Sequence, residues 1–290
     1  MNRSDAETPG EEESLANRIS SAPLLCNEND FLIWQLVDSA FPTGGFAHSS
    51  GLEAAWQHGE VRNREELLSF VEAGLNQLGR ATLPFVTTAW NEPDRLVELD
   101  ELCDAFTSNH VANRASRLQG KAFASAVERV FGKSPITSSR LPISSPSPIA
   151  HRPSPLNPPS TTRPDQPSAA NGQSTPNEIN QSAIRNPQSA IHSHFAPVFG
   201  ASLRHLNVSR STTCRMFVFN HLRSTFAAAV RLNIIGPMEA QILQNRLYPR
   251  ANAMLARCES LTLDDLAQTA PLLDLWQGAQ DRLYSRLFQS

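Results

Sequence analysis

Between residues 42 and 53 the chain reads Pro-Thr-Gly-Gly-Phe-Ala-His-Ser-Ser-Gly-Leu-Glu, its densest local concentration of chemically useful side chains. His48, Ser49 and Glu53 could supply a base, a hydroxyl nucleophile and a carboxylate. A nucleophilic serine needs its base within hydrogen-bond reach and a third group to orient that base. Neighbours on one loop rarely converge in this way, and Glu53 could orient His48 only if the following helix start turned it backwards. Gly44 and Gly45 lack Cβ, which permits positive φ and close backbone approach. Ser50 and Glu53 match the S-x-x-E capping box, in which each side chain satisfies an orphan backbone N–H. Three readings stay open. The segment is a tight helix–loop–helix corner with Phe46 and Leu52 stapled into the core, a partner-docking corner, or a catalytic loop.

Other chemistry is sparse. Cys26, Cys103, Cys214 and Cys258 are widely separated, without metal-ligand or redox spacing, and read as small buried apolar groups. His192 and His194 could be taken for a nickel or zinc pair, but they lie in a low-complexity stretch and read as having no specific role. Glycine-rich phosphate loops of the GxxxxGK[ST] or GxGxxG kinds are absent from the sequence. Arginines 185, 204, 210, 215, 223 and 231 fall in the acid-free stretch Ile179–Met238, whereas Asn91–Asp104 carries six acids. Such faces either complement each other within the fold or offer arginines to an acidic partner or a nucleotide phosphate.

The elements that must position these groups follow from composition and periodicity. The chain has 290 residues and a net charge of −3, and 12 of its 21 prolines, with 13 serines, lie between Ser134 and Ala196. That stretch cannot bury enough apolar surface to offset its ordering entropy, so 134–196 is expected to be a disordered insertion. Residues 1–28 read as a disordered acidic tail. The remaining body, 29–133 and 197–290, sums to a charge of −1 and has no field to attract nucleic acid. No apolar run approaches the ~20 residues of a membrane span. The expected protein is soluble, cytoplasmic and unassociated with membranes.

Within the body the apolar residues recur at helical steps. Phe31, Leu32, Trp34, Leu36 and Val37 begin a first helix, and Ser50–Gly59 makes a short second one. Asn63 caps a run through Leu67, Val71, Leu75 and Leu78, and Pro93 opens another through Phe106. A further helix spans about Asn113–Phe131. Phe219, Leu222, Phe226 and Val230 mark one stripe, and Met238, Ile242, Leu243 and Leu247 another ending before Pro249. No segment alternates as a strand would. The expected fold is a single all-α domain of about eight to ten helices.

Leu36–Ala55 resembles the N-terminal signature of the UreF family of urease accessory proteins, close to L-x-S-x-x-P-x-G-G-F-x-x-S-x-G-L-E. Pro42, Gly44, Gly45, Phe46, Ser49, Gly51, Leu52 and Glu53 carry the match. Ala228–Gly236 with Gln241 is similar to the family's A-x-R-L-x-x-L-G-Q-x-x-x-Q block and contains Arg231. Tyr284–Ser290, with Arg286, Leu287 and Phe288, resembles its S-R-L-F-x-S ending. Pro237 stands where the family usually has glutamine, and Gln280-Asp281 where it commonly has His-Glu.

The resemblance implies an all-α homodimeric scaffold with no catalytic activity of its own. Its partners would be the UreD-type protein (UreH in some organisms), the UreG-type GTPase and, through that assembly, the urease apoprotein. Nickel and GTP would be handled by the partner complex and not bound directly by this chain. The residues named from the three blocks are its expected partner-binding positions. The elbow would face the GTPase, and the C-terminal segment would become ordered against the UreD-type partner.

Overall fold

The computed structural model describes residues 30–132 and 191–290, which belong to one unit. The expected tail 1–28, Cys26, Arg185 and the insertion as far as residue 190 lie outside the described residues. Every regular element described is helical: α1 Asp30–Val37, α2 Leu52–Gln57, α3 Arg64–Gln77, α4 Leu83–Asn91, α5 Leu96–Phe106, α6 His110–Phe131, α7 Phe195–His205, α8 Arg210–Arg231, α9 Pro237–Cys258 and α10 Pro271–Ala279. The all-α expectation holds, and side-chain caps fix several starts. Asn63 Oδ1 accepts the Glu66 N–H at 3.0 Å while the Glu66 carboxylate accepts the Arg62 N–H at 2.6 Å. Asn109 and Ser209 cap α6 and α8 in the same manner.

At the centre lies α7, whose residues Phe195–Leu203 are all buried. Its first two residues fall inside the stretch expected to be disordered, and Pro197 and Gly200 interrupt its apolar run, so the sequence reading places no helix here. Phe195 and Phe199 join Phe123 of α6 and Phe217 of α8 in a ring cluster with centroids 5.1 to 5.7 Å apart. On the opposite side α7 meets α4, where Gly200 lies so close that an added Cβ would overlap the Val86 carbonyl. On α9 the helix continues through Pro249 to Cys258. It buries Ala240, Leu243, Leu247, Ala251 and Met254, leaving Met238 and Ile242 outward. The expected stripe was therefore rotated by about one position.

The right-hand edge of the insertion needs correction. Residues 192–196 were placed in it, yet Ser193, His194, Phe195 and Ala196 are buried parts of the body. The Asp100 carboxylate accepts the Ser193 and His194 N–H groups at 2.9 and 2.7 Å. The His194 ring pairs with Asp104 at 3.0 Å and Ser116 at 3.1 Å. Burial lowers the pKa of His194 against the opposing pull of Asp104. Gly120 of α6 admits this segment, since a Cβ there would overlap the Ser193 carbonyl. Asp100 and Asp104 thus stitch the returning chain to the body instead of forming an acidic outer face. The arginines also work internally: Arg204 stacks over Trp90 at 4.5 Å, Arg210 donates to the Glu259 carbonyl, and Arg223 to that of Val37.

Two outcomes follow. Gly200→Ala is expected to cost about 3 kcal/mol in denaturant unfolding, the upper end for overpacked cores. A chain lacking 134–196 is expected to melt several degrees below one lacking 134–190 in a thermal scan, because it loses His194 and Phe195.

Candidate functional site

The elbow between α1 and α2 is built from backbone that only small residues adopt freely. Gly44 has φ 72° and Gly51 φ 86°. Gly51 is also pressed against α10, where an added Cβ would lie 2.9 Å from the Gln277 nitrogen. Ser50 takes φ 54°, and α2 starts after Gly51, so the expected Ser50–Glu53 capping box does not form. Ser49 Oγ instead accepts the Glu53 N–H, at a long 3.4 Å. The Glu53 carboxylate is left for another purpose.

That purpose is the C-terminal tail. Glu53 is 2% exposed. Its Oε1 accepts the Leu287 N–H at 2.5 Å, and its Oε2 accepts the Phe288 N–H at 3.1 Å and the Gln280 amide at 2.6 Å. A buried carboxylate is costly unless donors replace its water, and two consecutive backbone N–H groups plus an amide do so here. The tail then runs along the elbow. Gln289 donates its N–H to the Ala47 carbonyl at 2.8 Å, and Ser49 donates its own to the Ser290 carbonyl at 2.5 Å. Arg231 at the end of α8 closes the arrangement: it donates to the Phe46 carbonyl at 2.6 Å and lies 4.1 Å over the buried Phe288 ring.

The three sequence blocks therefore meet in one place. Gly45, Ser49, Gly51, Leu52, Glu53 and Phe288 are buried within it, and Arg231 clamps it. Pro42, Gly44, Phe46, Tyr284, Arg286 and Leu287 form its exposed rim. Gln241 is exposed near the start of α9 and takes no part in the elbow–tail hydrogen bonds. Arg286 shares Asp281 with Arg114 and His110, and the Arg114 guanidinium holds the Asp281 carboxyl below its usual range.

The structure does not assemble the catalytic version of the loop. His48 Nδ1 pairs with Ser290 Oγ, not with Ser49. Both oxygens of Glu53 are taken by other donors, so nothing orients His48 as a base. Burial, then Arg114, depresses the His48 pKa. Burial also pushes the Cys103 thiol up to about 12 and the Cys214 thiol up to about 11, which disfavours their thiolate forms. No group of three or more His, Cys, Asp or Glu among the described residues could hold a metal ion. No helix among them is long and apolar enough to cross a membrane.

Beneath the elbow lies a cavity of about 240 Å³ between α3, α6, α8 and α10, lined in part by Gly74, Gln119, Asn220, His221 and Ser224, with His48 and Ser290 at the elbow end. Burial pushes the His221 pKa down to about 4. Sequence reasoning missed Asn220 and His221, which follow the apolar Phe217–Phe219 run on α8 and carry no motif. It noticed Gln280 only as a departure from a family pair.

The geometry is that of a helical protein whose signature residues build an ordered surface from a loop and a chain end. The UreF family model matches residues 61–248. Urease accessory protein F of Oryza sativa subsp. indica is 34% identical over 257 residues, covering 88% of this chain and 83% of that protein. The Arabidopsis thaliana protein of the same name is 32% identical over 262 residues, covering 89% and 91%. An uncharacterized urease accessory protein UreF-like of Schizosaccharomyces pombe is 26% identical over 259 residues, covering 88% and 94%. The chain belongs to the UreF family of urease accessory proteins. The family model's span begins after the elbow and ends before the tail, so their pairing rests on the geometry above.

Glu53→Gln is expected to cost about 2 kcal/mol, since one carboxylate oxygen becomes an NH2 facing donors. The amides of Leu287 and Phe288 should then exchange with deuterium faster than the rest of the body. The half-buried His221 contributes a pH dependence. Unfolded, it binds a proton below about 6.5, and folded only below about 4, so stability should fall as pH drops across that window. His221→Gln should flatten this slope in urea titrations at stepped pH.

Proposed function

We propose that this chain is a non-catalytic scaffold of urease maturation in the cytoplasm, held between a UreD-type accessory protein and a UreG-type GTPase. The observation that carries the reading is the seated tail. Glu53 and Arg231 fix the elbow and the last residues as one surface, from which Phe46, Tyr284 and Leu287 project outward. Leu272 and Leu275 project from α10, which packs on α2. Large apolar side chains held outward on ordered backbone, beside a buried hydrogen-bonded clamp, are what a protein-binding rim requires.

The elbow edge around Gly44 and Phe46 is the proposed contact for the GTPase, and the Tyr284–Leu287 edge that for the UreD-type partner. Two copies would pair into a homodimer. The scaffold would favour one nucleotide state of the GTPase by the difference between its affinities for the two states, and by no more than that. Nickel is then cargo of the assembly, and GTP is bound by the partner. Because the tail is already seated on Glu53, cutting it away would both remove a contact and strip donors from a buried carboxylate. Truncation is therefore a poor test of the partner surface.

Side-chain changes on the rim are a better one. Tyr284→Ala with Leu287→Asp leaves the Glu53 hydrogen bonds intact, because those use backbone N–H groups. This variant should fold like the parent yet bind the UreD-type protein at least about 30-fold more weakly, as loss of an anchoring aromatic does. A strain carrying only this variant should accumulate urease lacking nickel, partly rescued by added nickel salt. Undiminished co-elution and urease activation would remove the scaffold reading.

A further inference from the structure

The cavity beneath the elbow contains a polar side chain that the fold leaves unanswered. Asn220 is 6% exposed, and neither its Nδ2 nor its Oδ1 has a hydrogen-bond partner among the described residues. Buried amides are almost always paired. Here a donor and an acceptor lie side by side on one rigid helix, at the wall of a space with room for several heavy atoms. A single water needs only about 10–15 Å³ of such space. We propose that this cavity is a binding site for a small uncharged molecule bearing a primary carboxamide or ureido group.

The chemistry of the lining selects that class. A carboxamide offers one carbonyl and one NH2 in a plane, the mirror of the Asn220 amide, so two hydrogen bonds can close once that side chain turns toward the cavity. His221, next along α8, presents a neutral ring with one donor and one acceptor. Gln119 and Ser224 add an amide and a hydroxyl, again uncharged. Among the lining groups that could ionise, His48 and His221 are held toward their neutral forms and Cys103 is kept protonated. Burial also raises the pKa of Asp274 on the opposite helix. An anionic solute would lose its water here and meet no lysine or arginine among the lining residues, only the Asp274 carboxyl.

Two glycines keep the space open. A Cβ at Gly74 would come within 3.2 Å of His221 Nε2. One at Gly45 would lie 3.1 Å from Gln119 Nε2 and 3.2 Å from Ser224 Oγ. The elbow's second glycine thus roofs the cavity as well as shaping the loop. This site is independent of which proteins the rim binds, and its failure would leave the scaffold reading untouched.

The test is a titration of the full-length protein with acetamide, read from the histidine ring resonances by two-dimensional NMR. Acetamide should move the His221 signals along a saturable curve. Sodium acetate, of similar size but anionic, should not. Asn220→Leu should weaken acetamide binding at least about tenfold, one hydrogen-bonded pair's worth, while melting no lower than the parent. Should that variant fail to fold, Gly74→Ala narrows the cavity from the opposite wall and carries the same expectation. Absence of a saturable shift, an equal response to acetate, or undiminished binding by the folded variants would overturn the proposal.

Discussion

A buried carboxylate holds together the end of this protein where the three signature blocks meet. Glu53 sits at the start of a six-residue helix, too short to be stable by itself, and its charge is balanced by hydrogen bonds from Leu287, Phe288 and Gln280. Removing any one donor leaves a buried anion short of a partner, so loop, tail and the turn after α10 are held in one arrangement. Arg231 does not pair with Glu53. It ties the elbow to the tail instead, donating to the Phe46 carbonyl and covering the Phe288 ring.

The rest of the fold makes that arrangement rigid. Helix α8 carries Arg231 at its C-terminal end and, in its middle, the aromatic and aliphatic side chains that meet α7. The glycine contact between α7 and α4 lets two backbones touch, so α8 is seated on a core with little freedom to shift. On the far side Asp100 receives the returning chain through two backbone N–H groups, the same device that Glu53 uses for the tail. In both places a buried acid accepts consecutive main-chain donors from a segment distant in sequence. The repeated solution suits a helical body that must capture extended segments without offering a strand to pair with them.

Much of this was legible in the sequence where side-chain period or backbone demand leaves a local mark. The amphipathic helices, the Asn63 cap and the two glycines of the elbow could be read directly. The signature blocks named residues that, Gln241 apart, the fold brings together, but gave no sign of their contacts. Ser50 and Glu53 matched a capping box by spacing alone; the positive φ of Ser50 and the start of α2 one residue later released Glu53 to a partner more than 230 residues away. Helix α7 was missed because its start falls inside the Pro/Ser-rich stretch and because Pro197 and Gly200 interrupt its apolar run. His194 looked idle among prolines and serines, since its partners Asp104 and Ser116 lie about 80 to 90 residues away in the chain. Long-range polar satisfaction leaves no local pattern, and the candidate site is made chiefly of it.

If the seated tail is the working surface, fastening it in place should do no harm. Ala47 and Gln289 are joined by a main-chain hydrogen bond of 2.8 Å, which sets their side chains close enough to attempt a cross-link. A chain carrying Ala47→Cys and Gln289→Cys can be compared oxidised and reduced for co-elution with the UreD-type and UreG-type proteins. The account predicts equal or tighter association in the oxidised form, because the bound geometry is already in place. Association that is lost on oxidation and restored by reductant would show that the tail must leave Glu53 to engage its partners, and would contradict the claim.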